Sequence, residues 1–259
     1  MIKKCWSVGV FLRKSFSEVF SFRKKGGFIL LYHRVADVKD DPLLLSVSKS
    51  NFRDQVEWLS GKLRIVPLYE MVERIIKGKS LKGLVSITFD DGYSDNFYNA
   101  LPILSRISIP ATFFVAYGFL GGNRFYWDKN PASSGRPLSV AELVRFSRSN
   151  LVEIGSHTWS HPRLSNISSF EDYFKEIVVS KEALEAIVGK KIVSFSYPFG
   201  SFLDIDFYSY RLVRKSYKYA CANFEGMVFG HTDRWLLPRL VVRNWRLESF
   251  IQWIKGFRM

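Results

Sequence analysis

Gly83-Leu84-Val85-Ser86-Ile87-Thr88-Phe89-Asp90-Asp91-Gly92-Tyr93 is the stretch around which this chain is organised. Its first half is short, β-branched and apolar, and it predicts a buried strand. Its second half sets two carboxylates side by side at the strand's end, then a glycine. Adjacent like charges repel, and each loses hydration when covered, so packing gives no reason to put them there. A cation or a shared proton would settle the conflict. The plain alternative is a surface turn, because Asp-Gly is common turn chemistry.

The same strand-then-helix rhythm extends outward from this stretch. On the N-terminal side, Phe28 to His33 predicts a buried strand ending in a histidine. After a loop at 37–45, Ser50-Asn51 can cap a helix over 52–63, and a short strand at 65–68 precedes a helix over 69–77. On the C-terminal side come a helix over 95–107 interrupted by Pro102, a strand at 111–116 and a long loop at 117–137. Ser139 can cap a helix over 140–148. A strand at 151–155 leads into Ser156-His157-Thr158-Trp159-Ser160-His161-Pro162. The longest helical pattern, 169–188, stops at Gly189. A strand from 192 runs into the turn Tyr197-Pro198-Phe199-Gly200. Then follow a helix at 207–216, strands at 219–222 and 240–242, and an amphipathic helix at 247–256. This alternation is the α/β signature, with parallel strands joined by crossover helices. Seven or so such units suit a barrel better than an open sheet. In barrels, functional groups gather at the C-terminal ends of strands. His33, Asp90, Asp91, His157 and Pro198-Phe199-Gly200 all fall at predicted strand ends.

The chain has 259 residues, enough for a full core. Its net charge of +14 points to solubility or to an anionic partner such as a membrane surface, a nucleic acid or a phosphorylated glycan carrier. No ribonucleoprotein, zinc-finger or helix-turn-helix signature is present, which argues against nucleic acid. Cys5 and Cys221 form neither a CxxC nor a disulfide framework. No apolar run reaches transmembrane length. Residues 1–25 begin like a signal peptide, but Arg13 and Lys14 interrupt the apolar stretch and no cleavage site follows. They predict a retained segment, basic and aromatic, which is either a helix lying on an anionic bilayer or a solvated terminus. The expected location is cytoplasmic or peripheral at the inner face of a bacterial membrane, with export as the alternative. Residues 26–259 form the expected catalytic domain.

Four histidines occur in the chain, and two of them, His157 and His161, stand four apart. On a helical turn that spacing puts both imidazoles on one face, within reach of one ion. Two histidines plus one carboxylate make the ligand set of a catalytic zinc, with open positions for water and substrate. The two acids can then divide the work, one binding the metal and the other taking a proton from water.

Thr88-Phe89-Asp90-Asp91-Gly92 resembles the first motif of the polysaccharide deacetylases, the NodB-like family-four carbohydrate esterases. His157-Thr158-Trp159-Ser160-His161 resembles their second motif. Leu31-Tyr32-His33-Arg34-Val35, the segment from Ser50 to Leu59, and Leu237-Pro238-Arg239-Leu240 are similar to the subgroup that includes the biofilm poly-N-acetylglucosamine deacetylases. The resemblance runs from about Phe28 to Val242. It implies a deformed (β/α)7 barrel and a divalent metal, zinc first, with cobalt, nickel or iron as alternatives. It makes Asp91, His157 and His161 the ligands, Asp90 the base and His33 the acid, with His231 as rival. The third motif of many members carries an arginine before its proline to orient the base. Tyr197-Pro198-Phe199-Gly200 has none, and Arg239 is the candidate substitute. Phe199 would offer the oxyanion-hole N–H, with Tyr197 beside it as a substrate contact. Tyr126, Trp127 and Trp235 are further aromatics near strand-end loops. The implied reaction is removal of N-acetyl groups from an amino sugar in a polysaccharide or lipid-linked glycan. The alternatives are an O-acetyl esterase and a degenerate glycan-binding member.

Overall fold

The computed structural model describes residues 26–128 and 135–257. Segment 1–25, with its membrane-surface reading and Cys5, lies outside the described residues. Strand β5, Leu84–Phe89, is an interior strand of the sheet and is buried along its whole length. Strand β1, Phe28–Tyr32, runs parallel to it in the register Phe28↔Val85 to Tyr32↔Phe89. On the other side of β5 lie β4, Arg64–Ile65, at its start and β6, Ala111–Val115, at its end. Strands β7 (Val152–Ser156), β8 (Ser194–Ser196) and β9 (Tyr219–Cys221) continue the parallel path, and β10 (Leu240–Val241) pairs with β1. Leu237 bridges Cys221 just before β10, so the segment 237–241 touches β9 first and β1 next. That segment curls the sheet into the deformed barrel.

Side-chain alternation sorts the residues of each strand onto two faces. Phe28, Leu30 and Tyr32, with Val85, Ile87 and Phe89, and with Ala111, Phe113 and Val115, join the core under the helices. Ile29, Leu84, Phe114, Tyr219 and Cys221 face the other way and form a second cluster. This inner face is partly polar. Ser86 Oγ donates to Val66 O at 2.9 Å, and Thr88 Oγ1 donates to Leu30 O at 2.8 Å. A residue two past Thr88 on the same face is Asp90, so the strand's period aims it into the barrel.

Helix α1 is Lys49–Lys62, capped by Ser48, whose side chain accepts from Asn51 N; the expected cap at Ser50-Asn51 is corrected to a position two residues earlier. Helix α2 is Leu68–Ile76 and closes the base with Leu68, Met71, Val72 and Ile75. Pro67 precedes it as N-cap, so the predicted strand at 65–68 is only Arg64–Ile65. Helix α3 spans 96–106, with a π turn at Asn96–Ala100 before the α-helical Leu101–Arg106. Pro102, which has no N–H to donate, falls directly after the π turn, and the chain stays helical through it. Helix α4 is Val140–Phe146, started by a reciprocal Ser139–Glu142 capping box. Helix α5 covers 170–188 and carries a second π turn, Lys175–Val179, before ending at Gly189 with φ of 67°. Helices α6 (Phe207–Ser216) and α7 (Leu247–Gly256) match the expected spans. Strands β2 (Arg34–Val35) and β3 (Ser46–Val47), paired in parallel, were not expected from the sequence. No helix among the described residues is long and apolar enough to cross a membrane.

Candidate active site

Asp90 continues the β5 ladder, its N–H donating to Tyr32 O at 3.0 Å. The chain then turns sharply. Asp91 has φ of 74° and Gly92 of 85°. Gly92 lies against β6, where a Cβ would stand 3.1 Å from Val115 Cγ1. The turn splits the two acids: Asp90 points into the barrel and Asp91 toward the loop after β7. The expected helical turn at 157–161 is corrected to an irregular one, with positive φ at Thr158 (69°) and His161 (58°). Phe199, after β8, has φ of 59°. Left-handed backbone is uncommon for residues with a Cβ and costs about 1–3 kcal/mol each, and such strain collects at functional sites. Four of the six such residues in the described chain, Asp91, Thr158, His161 and Phe199, stand in this one place.

One ligand-type atom from each of Asp91, His157 and His161 lies within 4.8 Å of the other two. His157 Nδ1 lies 2.7 Å from Ser196 O, a carbonyl, so Nδ1 carries the proton and Nε2 keeps its lone pair. That Nε2 is 3.4 Å from Asp91 Oδ1, and His161 Nε2 is also 3.4 Å from Asp91 Oδ1. Burial, helped by the charge of His157, pushes His161 down to about 3, so it is a neutral imidazole at neutral pH. Its Nδ1 is buried without a hydrogen-bond partner. Burial disfavours the charge of His157, but Asp90 and Asp91 outweigh it and raise its pKa.

Asp90 has a different set of partners. Arg239 Nη1 donates to Asp90 Oδ1 at 2.8 Å and Nη2 to Oδ2 at 2.7 Å, a two-pronged clamp. Ser196 Oγ donates to Oδ2 at 3.0 Å. Arg239 is fully buried and is itself held by Ala222 O at 2.8 Å, Ser196 Oγ at 2.9 Å and Thr88 Oγ1 at 3.3 Å. Burial would raise Asp90, but the Arg239 and His157 charges and the Arg239 hydrogen bonds outweigh it and hold the acid well below the usual carboxylate range. Where the third motif lacks an arginine, this carboxylate is met by Arg239 from the segment just before β10. Ser196 escaped the sequence reading. Its signal was its period: it is on the inner face, two residues after Ser194.

The donor set fits a divalent cation. Two buried carboxylates face one guanidinium, which leaves one negative charge to balance. Both imidazoles turn Nε2 toward Asp91, where each can present a lone pair. Two nitrogens and one oxygen suit zinc and its neighbours, with positions left open.

His33 follows β1 directly and belongs to the same charge cluster, since it acts on both Asp90 and Asp91. Burial lowers its pKa, with Asp91 and Asp90 opposing and Arg239 and His157 adding to the drop. His231 stands elsewhere. It is exposed, stacked on Phe229, in a loop joined to Gly27 through Val228 before β1 begins. The Phe199 ring lies 5.0 Å from that of His161, and Trp127 lies 4.5 Å from it on another side. Tyr126 OH donates to His161 O at 3.2 Å. Two aromatics are corrected. Tyr197 shares the outward face of β8 with Phe195, packs edge-on to it at 5.1 Å and is 1% exposed, so its side chain is core. Trp235 donates to Tyr217 O and lies between Arg214 and Arg234, away from the acid pair.

Known proteins resemble this chain in sequence and in fold. The chain is 29% identical over 263 residues to the poly-beta-1,6-N-acetyl-D-glucosamine N-deacetylase of Staphylococcus epidermidis, covering 93% of this chain and 87% of that one. It is 27% identical over 239 residues to the Staphylococcus aureus protein of the same name, covering 89% and 78%. The fold is shared with IcaB from Ammonifex degensii (TM-score 0.72, 21% identity, 91% of this chain and 98% of that one). It is shared equally with the Streptococcus pyogenes deacetylase PplD (TM-score 0.72, 20% identity, 88% and 97%). The family description "Polysaccharide deacetylase" matches residues 77–217, more than half of the chain. The acid pair, the histidine turn and the Phe199 turn fall inside that match, while His33 and Arg239 reach the same mouth from outside it; the chain belongs to the polysaccharide deacetylase family.

Proposed function

We propose that this protein is a metal-dependent N-deacetylase that removes acetyl groups from N-acetylated amino sugars of a polysaccharide. Poly-β-1,6-N-acetylglucosamine, the substrate in the relatives' names, is the first candidate. The observation that carries this reading is the division of the acid pair: Asp91 faces two imidazoles, while Asp90 is clamped by a buried arginine. Asp91, His157 and His161 would hold the ion, zinc by donor set, which when bound would polarise the acetyl carbonyl and acidify water.

The chain's own residues supply the remaining chemistry. Asp90, kept ionised and fixed in direction by Arg239, accepts the proton of the attacking water. Because Asp90 is tied to Arg239 and Ser196, it is not a ligand competing with Asp91. The N–H of Phe199 is the donor to the developing oxyanion, a role that needs no particular side chain. His33 carries the proton to the amide nitrogen, since an amine anion leaves very poorly. Phe199, Tyr126 and Trp127 line the mouth as surfaces on which sugar rings can stack. The basic, aromatic segment 1–25 is proposed to hold the domain at an anionic membrane surface. Lipid-linked glycans are the second substrate class.

The test is acetate release from poly-β-1,6-N-acetylglucosamine and from acetylated lipid-linked sugars by protein stripped of metal and then reloaded with zinc or cobalt. Release that depends on the ion is expected. Equal release by stripped protein would remove the mechanism.

A further inference from the structure

The turn that carries both candidate histidine ligands is strained, yet its backbone is tied at several points to other elements. Tyr117 N donates to Thr158 O at 3.1 Å, and Gly118 N donates to Trp159 O at 2.7 Å. His161 N donates to Thr158 Oγ1 at 3.0 Å. Two further amides converge on one side chain from another element. Glu176 Oε2 accepts from Trp159 N at 2.9 Å and Ser160 N at 2.8 Å, and Oε1 accepts from Ser160 Oγ at 2.6 Å. Glu176 is 6% exposed and makes no contact with the acid pair in these bonds.

Its placement depends on the π turn of α5. Glu176 lies within Lys175–Val179, where the helix is one residue wider per turn. Such a turn frees backbone groups, which must be satisfied elsewhere when buried. Ser180 Oγ donates to Glu176 O at 2.6 Å and also lies 3.2 Å from Ser156 Oγ, next to His157. Tyr217 OH donates to Ile177 O at 2.6 Å. The bulge is thus stabilised in place by side chains, and its one buried acid is aimed at the histidine turn. A buried glutamate beside Ile177-Val178-Val179 has no packing reason to be there.

We infer that Glu176 is a positioning residue for the metal site, holding the 157–161 turn in the left-handed conformation that points His157 and His161 at a common ion. It acts through geometry rather than charge, because what the turn needs is acceptors at two N–H groups and a hydroxyl. The inference rests on the metal reading of Asp91, His157 and His161.

Two variants separate reach from charge. Glu176→Asp keeps the charge but is one methylene too short to meet the Trp159 and Ser160 amides together. Glu176→Gln loses the charge but keeps the reach, since its amide oxygen can accept both N–H groups and its NH2 can donate to Ser160 Oγ. Zn2+ affinity of the stripped full-length protein would be measured by competition with a coloured chelator, and the visible bands of bound Co2+ would be recorded. Glu176→Asp should bind Zn2+ about 10–100-fold more weakly and shift the Co2+ bands. Glu176→Gln should stay within about threefold of the parent and keep its bands. Parental affinity in Glu176→Asp overturns the inference, and so does a Glu176→Gln as weak as Glu176→Asp, which would make the effect one of charge. If the parent protein itself takes up no ion, the metal reading fails, which is a distinct result from variants that bind as the parent does.

Discussion

Arg239→Met should produce a metal-loaded but nearly inactive and destabilised protein. The side chain is fully buried and makes five hydrogen bonds, two of them to Asp90. Methionine fills much of the volume but leaves the Asp90 carboxylate, itself 3% exposed, without its counter-charge. Removing one partner of a buried ion pair costs about 3–5 kcal/mol. For a chain of this size that is a fall in Tm of roughly 6–20 °C, at about 2–4 °C per kcal/mol. Asp90 would answer by rotating or by taking up a proton, and either response removes the base, so kcat should drop by roughly 10²–10⁴-fold. Metal content should persist, because Arg239 touches none of Asp91, His157 and His161 in these bonds. The companion is the double variant Asp90→Asn with Arg239→Met. A neutral amide does not need the guanidinium, so the double variant should be more stable than Arg239→Met alone, a non-additivity that reports the pair. Thermal unfolding, metal analysis and acetate release measure the three quantities. An Arg239→Met protein with parental kcat, or a double variant no more stable than Arg239→Met, would refute the clamp as the device that holds the base.

Asp90→Asn should keep the ion and lose about 10²–10⁴-fold in turnover, whereas Asp91→Asn should lose ion affinity; exchanged phenotypes in metal titration would reverse the two roles. His33→Ala should keep the ion and cut amide deacetylation by roughly 10²–10⁴-fold while sparing cleavage of an aryl acetate, whose phenolate leaves unaided. His231→Ala, remote from the acid pair, should leave both substrates alone, and a selective amide defect there would transfer the acid role to it. Glu153 is raised by burial despite hydrogen bonds from Ser194 and Tyr219. A raised carboxylic acid favours folding below its unfolded value, near 4.3, and that contribution is lost as pH climbs toward the folded value. Glu153→Gln lacks this loss, so its Tm relative to the parent should improve from pH 4 to pH 8, and a constant difference would contradict the sign.

Much of this protein was legible locally. Strand β5 followed from β-branched apolar residues, helices α6 and α7 from periodicity, and the end of α5 from Gly189, whose φ of 67° a Cβ would resist. The acid pair and the histidine pair are chemical statements within a few residues, and their motifs carried the family. Tyr197 was legible too and was misplaced. Two residues after Phe195 it had to share that residue's outward face, as Ser196 had to share the inner one. The turn at 157–161 was not legible as a turn. The i, i+4 spacing is the same in a helix, and what removes the helix is a set of hydrogen bonds donated by Tyr117 and Gly118 and accepted by Glu176, all remote from the turn in sequence.

The sequence by itself pointed to most element types, the parallel α/β class and the candidate ion-binding and base-type residues, because each depends on side-chain chemistry repeated at short spacing. The resemblance had already assigned the two acids different roles; only the tertiary structure shows the different surroundings that support that division. The left-handed turn at Asp91 points one carboxylate at two imidazoles, and closure of the sheet by 237–241 delivers Arg239 to the other across 149 residues of chain. Those outcomes depend on how strands curl and close. A guanidinium becomes a clamp only when the barrel's curvature sets it 2.7–2.8 Å from a carboxylate and excludes the water that would otherwise separate them.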